Sequence, residues 1–147
     1  MIVMQAGVTK SDEAYDGTVW SILGQTYTLK QQSDASMAWH AILPPGTFVP
    51  PHMHPTQDEF VSVFEGRLDL WLDGKEVIAT AGDLIRMPMG EPHGIFNKSS
   101  GTVRCLFWVS PTRVLRGLFD RIHNVGDPAE VVRIAAEHEV NFLPPQS

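Results

Sequence analysis

Between Gly46 and Gly66 the chain runs Gly-Thr-Phe-Val-Pro-Pro-His-Met-His-Pro-Thr-Gln-Asp-Glu-Phe-Val-Ser-Val-Phe-Glu-Gly, with two histidines two residues apart and a glutamate five further on. Side chains alternate between the faces of a strand, so His52 and His54 point the same way and can reach one ion together. Pro55 then bends the chain, Pro55-Thr-Gln-Asp58 reads as a turn, and Glu59 opens an apolar strand, Phe60-Val-Ser-Val-Phe64, near the imidazoles. Downstream, His93 follows the Pro/Gly-rich loop after Gly82 and begins another strand. Taken alone, a His-X-His pair is equally two packed or surface histidines. A glutamate and a third histidine brought to the same place turn the pair into a metal site.

The flanking sequence is a succession of short strands. Thr18–Leu23, Gln25–Lys30 and Met37–Leu43 are rich in β-branched and aromatic residues and are separated by Gly24 and by a polar run at 31–36. Arg67–Leu72 and Lys75–Thr80 are joined by Asp73-Gly74, a strong signal for a tight hairpin turn. Leu68, Leu70 and Leu72 share one face of their strand, Arg67, Asp69 and Trp71 the other. Leu84–Met87 and Val103–Val109 add further strands, while residues 1–15 read as a mobile arm or an edge strand lent to a partner. Short strands with turns at close intervals predict a sandwich or barrel, and periodicity does not choose between them.

From Ser110 the period changes. Val114, Leu115, Leu118, Phe119 and Ile122 recur at helical spacing until Gly126-Asp-Pro interrupts them. Asp127 as a cap, Pro128 in the first turn and Glu130 three residues after the cap start a second amphipathic helix over Val131, Val132, Ile134, Ala135 and His138. Asn141–Pro145 reads as an extended tail. The apolar stripe Leu118, Phe119, Ile122 suits core packing and equally a lid.

Together the two histidine-bearing segments resemble the paired signatures of the cupin superfamily. The first, G(X)5HXH(X)3,4E(X)6G, is met by Gly46, His52, His54, Glu59 and Gly66; the second, G(X)5PXG(X)2H(X)3N, by Gly82, Pro88, Gly90, His93 and Asn97. The resemblance implies an all-β fold: a jelly-roll barrel, or double-stranded β-helix, over about residues 16–110, with two short C-terminal helices over about 111–147, all in one cupin domain spanning 1–147. The helical end is similar to that of bacterial single cupins grouped with quercetin dioxygenases. The resemblance further implies one divalent transition metal ion (Fe, Mn, Ni, Co, Zn or Cu) held by His52, His54, Glu59 and His93. It also implies a homodimer formed through sheet edges and exchanged N-terminal strands.

Composition narrows the function. The net charge is −6 and lysines and arginines form no cluster, which argues against nucleic acid and against an anionic membrane surface as partners. The single cysteine, Cys105, excludes an internal disulfide and sits in an apolar strand, where a thiol packs as a small hydrophobe. No signal-like start or membrane-length apolar run is present, so a cytoplasmic location is expected.

Three neutral imidazoles and one carboxylate leave coordination positions open on a five- or six-coordinate ion, unlike the closed, cysteine-rich structural zinc sites. Such an ion favours the deprotonated form of a bound hydroxyl or enol. The resemblance to quercetinase-like cupins implies a metal-dependent dioxygenase acting on a small, largely apolar, enolizable or phenolic substrate, with Glu59 as ligand and catalytic base. The alternative is a non-oxidative cupin, an isomerase, lyase or small-molecule sensor, using the same ion. Trp39, Trp71, Phe48, Phe60, Met87, Ile95, Phe107 and Trp108 are candidates to line the cavity, Arg86 to meet an anionic group, and His40 to support a ligand. His123 and His138 are expected at the surface. Gly46, Gly66, Gly82 and Gly90 are read as turn formers and Asn97 as a structural hydrogen-bonding residue.

Overall fold

The computed structural model describes residues 2–144, so Met1 and the end of the expected tail, Pro145, lie outside the described residues. Eleven strands are described: β1 Val19–Ile22, β2 Gln25–Gln32, β3 Met37–Leu43, β4 Phe48–Met53, β5 Asp58–Glu65, β6 Arg67–Leu72, β7 Lys75–Thr80, β8 Leu84–Met87, β9 His93–Phe96, β10 Val103–Ser110 and β11 Asn141–Phe142. Helices α1 (Leu115–Ile122) and α2 (Pro128–Ala136) lie between β10 and β11.

The strands form two antiparallel sheets, one in the order β1-β2-β3-β10-β5-β8 and the other β11-β4-β9-β6-β7. Consecutive strands β4 and β5 lie in different sheets, as do β9 and β10, so the chain wraps both layers around one core, as a jelly roll does. Alternation along β10 is complete: Val103, Cys105, Phe107 and Val109 are buried, and Arg104, Leu106, Trp108 and Ser110 face outward. Burial pushes the Cys105 thiol up to about 12, in keeping with a packing role.

The turns follow from left-handed backbone positions. Asp73 (φ 50°) and Gly74 (φ 72°) close the β6–β7 hairpin. At Gly66 (φ 90°) a Cβ would also stand 2.9 Å from the Thr102 carbonyl, so this corner requires glycine twice over. Asn97, at 1 % exposure, fastens the β9–β10 corner: its amide donates to the carbonyls of Leu43 and Gly101, and its Oδ1 accepts from the Ser99 N–H and hydroxyl.

Residues 2–14 run without regular strand or helix and are tied to their own chain. Lys30 Nζ donates to the carbonyls of Lys10, Ser11 and Glu13, and Ile2 N to Asp34 Oδ1. The helices pack back over the space between the sheets, with Leu115, Leu118, Phe119 and Ile122 of α1 and Val131, Ile134 and Ala135 of α2 buried against it. Asp127 caps α2 by accepting from Ala129 N, whereas Glu130 pairs with Arg133 instead of turning back to the cap. The tail is more than extended chain: as β11 it pairs with β4, Asn141 opposite Met53 and Phe142 opposite His52. No helix among the described residues is long and apolar enough to cross a membrane.

Candidate metal centre

The two motifs meet because of strand register. β4 pairs with β9 so that His52 lies opposite His93. His54 lies just past the end of β4, where its carbonyl accepts from Gly90 N at 2.9 Å, joining one motif's loop to the other's. Glu59 enters from the second sheet on β5, opposite Val109 and Met87. One ligand atom from each of His52, His54, Glu59 and His93 lies within 4.8 Å of the other three, and all four residues are buried.

Each imidazole is oriented by its far nitrogen. Nδ1 of His52 meets the Pro50 carbonyl at 2.8 Å, Nδ1 of His93 the Glu91 carbonyl at 3.1 Å, and Nδ1 of His54 the Gln57 Oε1 at 2.8 Å. A carbonyl only accepts, so Nδ1 carries the proton and Nε2 presents its lone pair to the centre. Nε2 of His54, Nε2 of His93 and Oε1 of Glu59 are buried with no hydrogen-bond partner, although His93 Nε2 and Glu59 Oε1 stand 3.3 Å apart. Buried polar atoms without partners cost stability. Here they converge with the donor chemistry that a divalent transition ion takes.

The electrostatics agree. Burial, then the neighbouring His93 and His54, lower His52 to about 3, so it stays a neutral donor. For Glu59, burial favours the neutral acid, but the three imidazoles outweigh it and hold the carboxyl down at about 2.

Glu59, His52 and His54 form the polar wall of a narrow cavity of about 50 Å³. Its other walls are apolar and aromatic. Trp39 stacks on Phe107 at 5.5 Å, Phe119 of α1 meets Trp39 edge-on at 5.1 Å, and Phe142 of β11 covers the His52 ring at 5.2 Å. Tyr27 adds a polar point: its hydroxyl donates to Gln25 Oε1 at 2.7 Å, and burial, then Glu59, raises its pKa, so it stays protonated.

Of the residues expected around the cavity, Trp39, Ile95 and Phe107 line it, as do the helical Leu118, Phe119 and Ile122. Met87 is buried in the core without reaching it. Phe60 and Trp108 stack on each other on the outward face of the six-stranded sheet, and Phe48 and Trp71 line grooves outside the barrel. His40 stacks on the exposed Phe64, on the opposite face of β3 from Trp39, so it does not support the ligands. Arg86 is exposed. His123 is exposed and accepts from Ser21 N; His138 is half-buried beyond the end of α2, against the Ile134 carbonyl. Sequence reasoning passed over Tyr27, Phe142 and Gln57. Strand alternation places Tyr27 with Leu29 on an inward face, whereas nothing local marks Gln57, a polar residue in a turn.

A jelly roll carrying three histidines and a glutamate at one end of its interior defines the class, and comparison with known proteins agrees. The cupin domain profile matches residues 39–109. Over these residues, just under half of the chain, the sequence is that of a cupin domain. It is 37 % identical over 71 residues to polyketide synthase CurC of Streptomyces cyaneus, covering 48 % of this chain and 46 % of that protein. To quercetin 2,3-dioxygenase of Bacillus subtilis it is 31 % identical over 96 residues, 65 % of this chain and 28 % of the other. The matched segments thus span half or less of these relatives. An RmlC-like cupin from Shewanella frigidimarina shares the fold, with a TM-score of 0.65 at 20 % identity over 74 % of this chain and 94 % of the other.

Proposed function

We propose that this chain is a metal-dependent dioxygenase acting on a small, largely apolar, enolizable or phenolic substrate. The observation that carries the reading is the convergence of unpartnered Nε2 and carboxylate oxygen atoms on the wall of an aromatic cavity. His52, His54, Glu59 and His93 would hold the ion, which when bound supplies Lewis acidity and a redox partner for dioxygen. The chain's own residues do the rest. Trp39, Phe107 and Phe119 offer flat faces to a planar ring. The ionised carboxylate of Glu59 takes the proton of the enol or phenol, and α1 and α2 keep bulk water from the resulting anion. Dioxygen is the oxidant, and both its atoms end in the product. The similarity to a relative named quercetin 2,3-dioxygenase supports this reaction class.

A non-oxidative reaction at the same centre is the second reading, favoured by the higher identity to a relative named polyketide synthase. There Glu59 would take and return a proton, with no oxygen consumed. The test is metal analysis of protein reconstituted without air, followed by oxygen uptake with flavonols and β-diketones. Near-stoichiometric redox-active metal with substrate-dependent uptake supports the dioxygenase. Conversion of an enolizable substrate without uptake supports the second reading, and failure to bind metal overturns both.

A further inference from the structure

Gln57 is 2 % exposed and makes three hydrogen bonds. Its Nε2 donates to the carbonyls of Pro111 at 3.0 Å and Thr112 at 2.8 Å, more than fifty residues away. Two carbonyls can face only the NH2 end of the amide, so the side chain cannot be turned round without setting oxygen against oxygen. Its Oε1 is therefore committed to His54 Nδ1 at 2.8 Å. For His52 and His93 the same service comes from a main-chain carbonyl two residues back. His54 alone is oriented by a side chain, and that side chain is gripped by another part of the fold.

The grip falls at the root of the helical cap. Pro111 and Thr112 join β10 to α1, and the Thr112 carbonyl that receives Gln57 also accepts from Leu115 N in the first turn of α1. The same residue is fixed from the other side, Thr112 N donating to Asp34 O.

We propose that Gln57 is the positioning residue of His54 and couples the metal centre to the root of the α1–α2 cap. It fixes the His54 tautomer and ring plane through Oε1, and through Nε2 it ties that geometry to the segment from which the cap begins. An ion that holds His54 in place thereby stiffens the root of α1, and a displaced root loosens His54; a coupling of this kind is reciprocal. The inference rests on the reading of the four-residue cluster as a metal site.

The test uses Co(II) as the probe, added to metal-free protein and read by its visible absorption and by amide hydrogen exchange. Gln57→Met removes both ends of the linkage; Gln57→Glu keeps an acceptor for His54 but replaces the donor to Pro111 and Thr112 by an oxygen that their carbonyls repel. A 10–100-fold loss of Co(II) affinity is expected for Gln57→Met, the usual cost of losing a group that orients a ligand, and only a few-fold loss for Gln57→Glu. In the wild type Co(II) is expected to slow exchange of the Leu115 amide, and in Gln57→Glu it is expected to leave that amide unchanged. Equal affinity losses in the two variants would mean that Gln57 only supports folding, and would overturn the proposal. So would wild-type Co(II) binding without protection of Leu115, a result that requires no variant to fold. Failure of the wild type to take up Co(II) would instead overturn the metal reading itself.

Discussion

Glu139 accepts a hydrogen bond from the Thr56 hydroxyl at 2.5 Å, across 83 residues of sequence. The same carboxylate receives Arg113 on both oxygens, at 3.1 and 2.7 Å, and is held down at about 2 by that guanidinium and by Thr56. Thr56 lies in the turn between His54 and Glu59, Arg113 just before α1, and Glu139 between α2 and β11. One carboxylate thus clasps both ends of the helical cap to the turn between His54 and Glu59.

The cavity of about 50 Å³ is smaller than a ring-sized molecule, so a substrate of the proposed kind would require the cap to move. Glu139→Ala should loosen the clasp while sparing the barrel. The network is partly exposed and modest in strength, so opening of residues 111–144 should become more frequent. Hydrogen exchange would show this as faster exchange in α1 and α2 with β3 and β10 unchanged. Uniform acceleration across the molecule would mean that Glu139 supports the whole fold and not the cap.

Acid should destabilise the metal-free protein well before ordinary carboxylates titrate. Unfolded, His52 takes up a proton near its ordinary 6.5, whereas in the fold it is held down to about 3. Between those values the unfolded chain carries the extra proton, so stability is full above pH 6.5 and declines as the pH falls. The slope for one proton is about 1.4 kcal/mol per pH unit. Below 4.5 it steepens, because Glu59 and Glu139, both held at about 2 in the fold, then bind protons only in the unfolded chain. Urea unfolding of metal-free protein between pH 7.5 and 5 measures this, and a flat profile would contradict a buried neutral His52.

The legible part of this molecule was whatever local spacing encodes. The Asp73-Gly74 hairpin and the Asp127 cap each depend on a few consecutive residues, and His52, His54, Glu59 and His93 stand at the spacings of two motifs. Asn97 was recognisable as structural from its place in the motif, although its partners Leu43 and Gly101 were not. Gln57 and Glu139 stayed hidden because their meaning comes from contacts with Pro111, Thr112, Thr56 and Arg113, which only the folded chain supplies. The division of aromatics was half legible: alternation separates Phe107 from Trp108 on β10, but which of the two looks inward depends on how the sheets face each other.

The outward face of the six-stranded sheet carries Phe60 stacked on Trp108 and His40 over Phe64, with Phe64 and Leu84 more than half exposed. We propose that a second copy of the chain covers this face. Apolar patches of this kind mark association surfaces, and the rim carries both signs, Arg104 paired in register with Glu65 and Arg86 following Asp83, as a two-fold contact with itself requires. Sedimentation at micromolar concentration should give twice the chain mass of 16.3 kDa. Phe64→Asp should return it to a monomer with its barrel intact, and a wild-type mass near 16.3 kDa would refute the pairing.

Replacing His93 by alanine tests the centre most directly. The residue is buried at 1 % exposure, its Nε2 has no partner besides the nearby Glu59 oxygen, and its Nδ1 reaches only a main-chain carbonyl two residues away. It packs against the rings of His52 and His54, so the metal-free variant should lose about 1–3 kcal/mol, the cost of the cavity partly offset by removal of an unsatisfied nitrogen. Metal binding should suffer far more. Loss of one of four donors leaves an incomplete set that competes poorly with chelators, so stoichiometric metal should fall to trace after dialysis while circular dichroism stays that of the wild type. Stoichiometric metal retained in His93→Ala would show that the ion lies elsewhere, and the unpartnered atoms of His54 and Glu59 would then need another explanation.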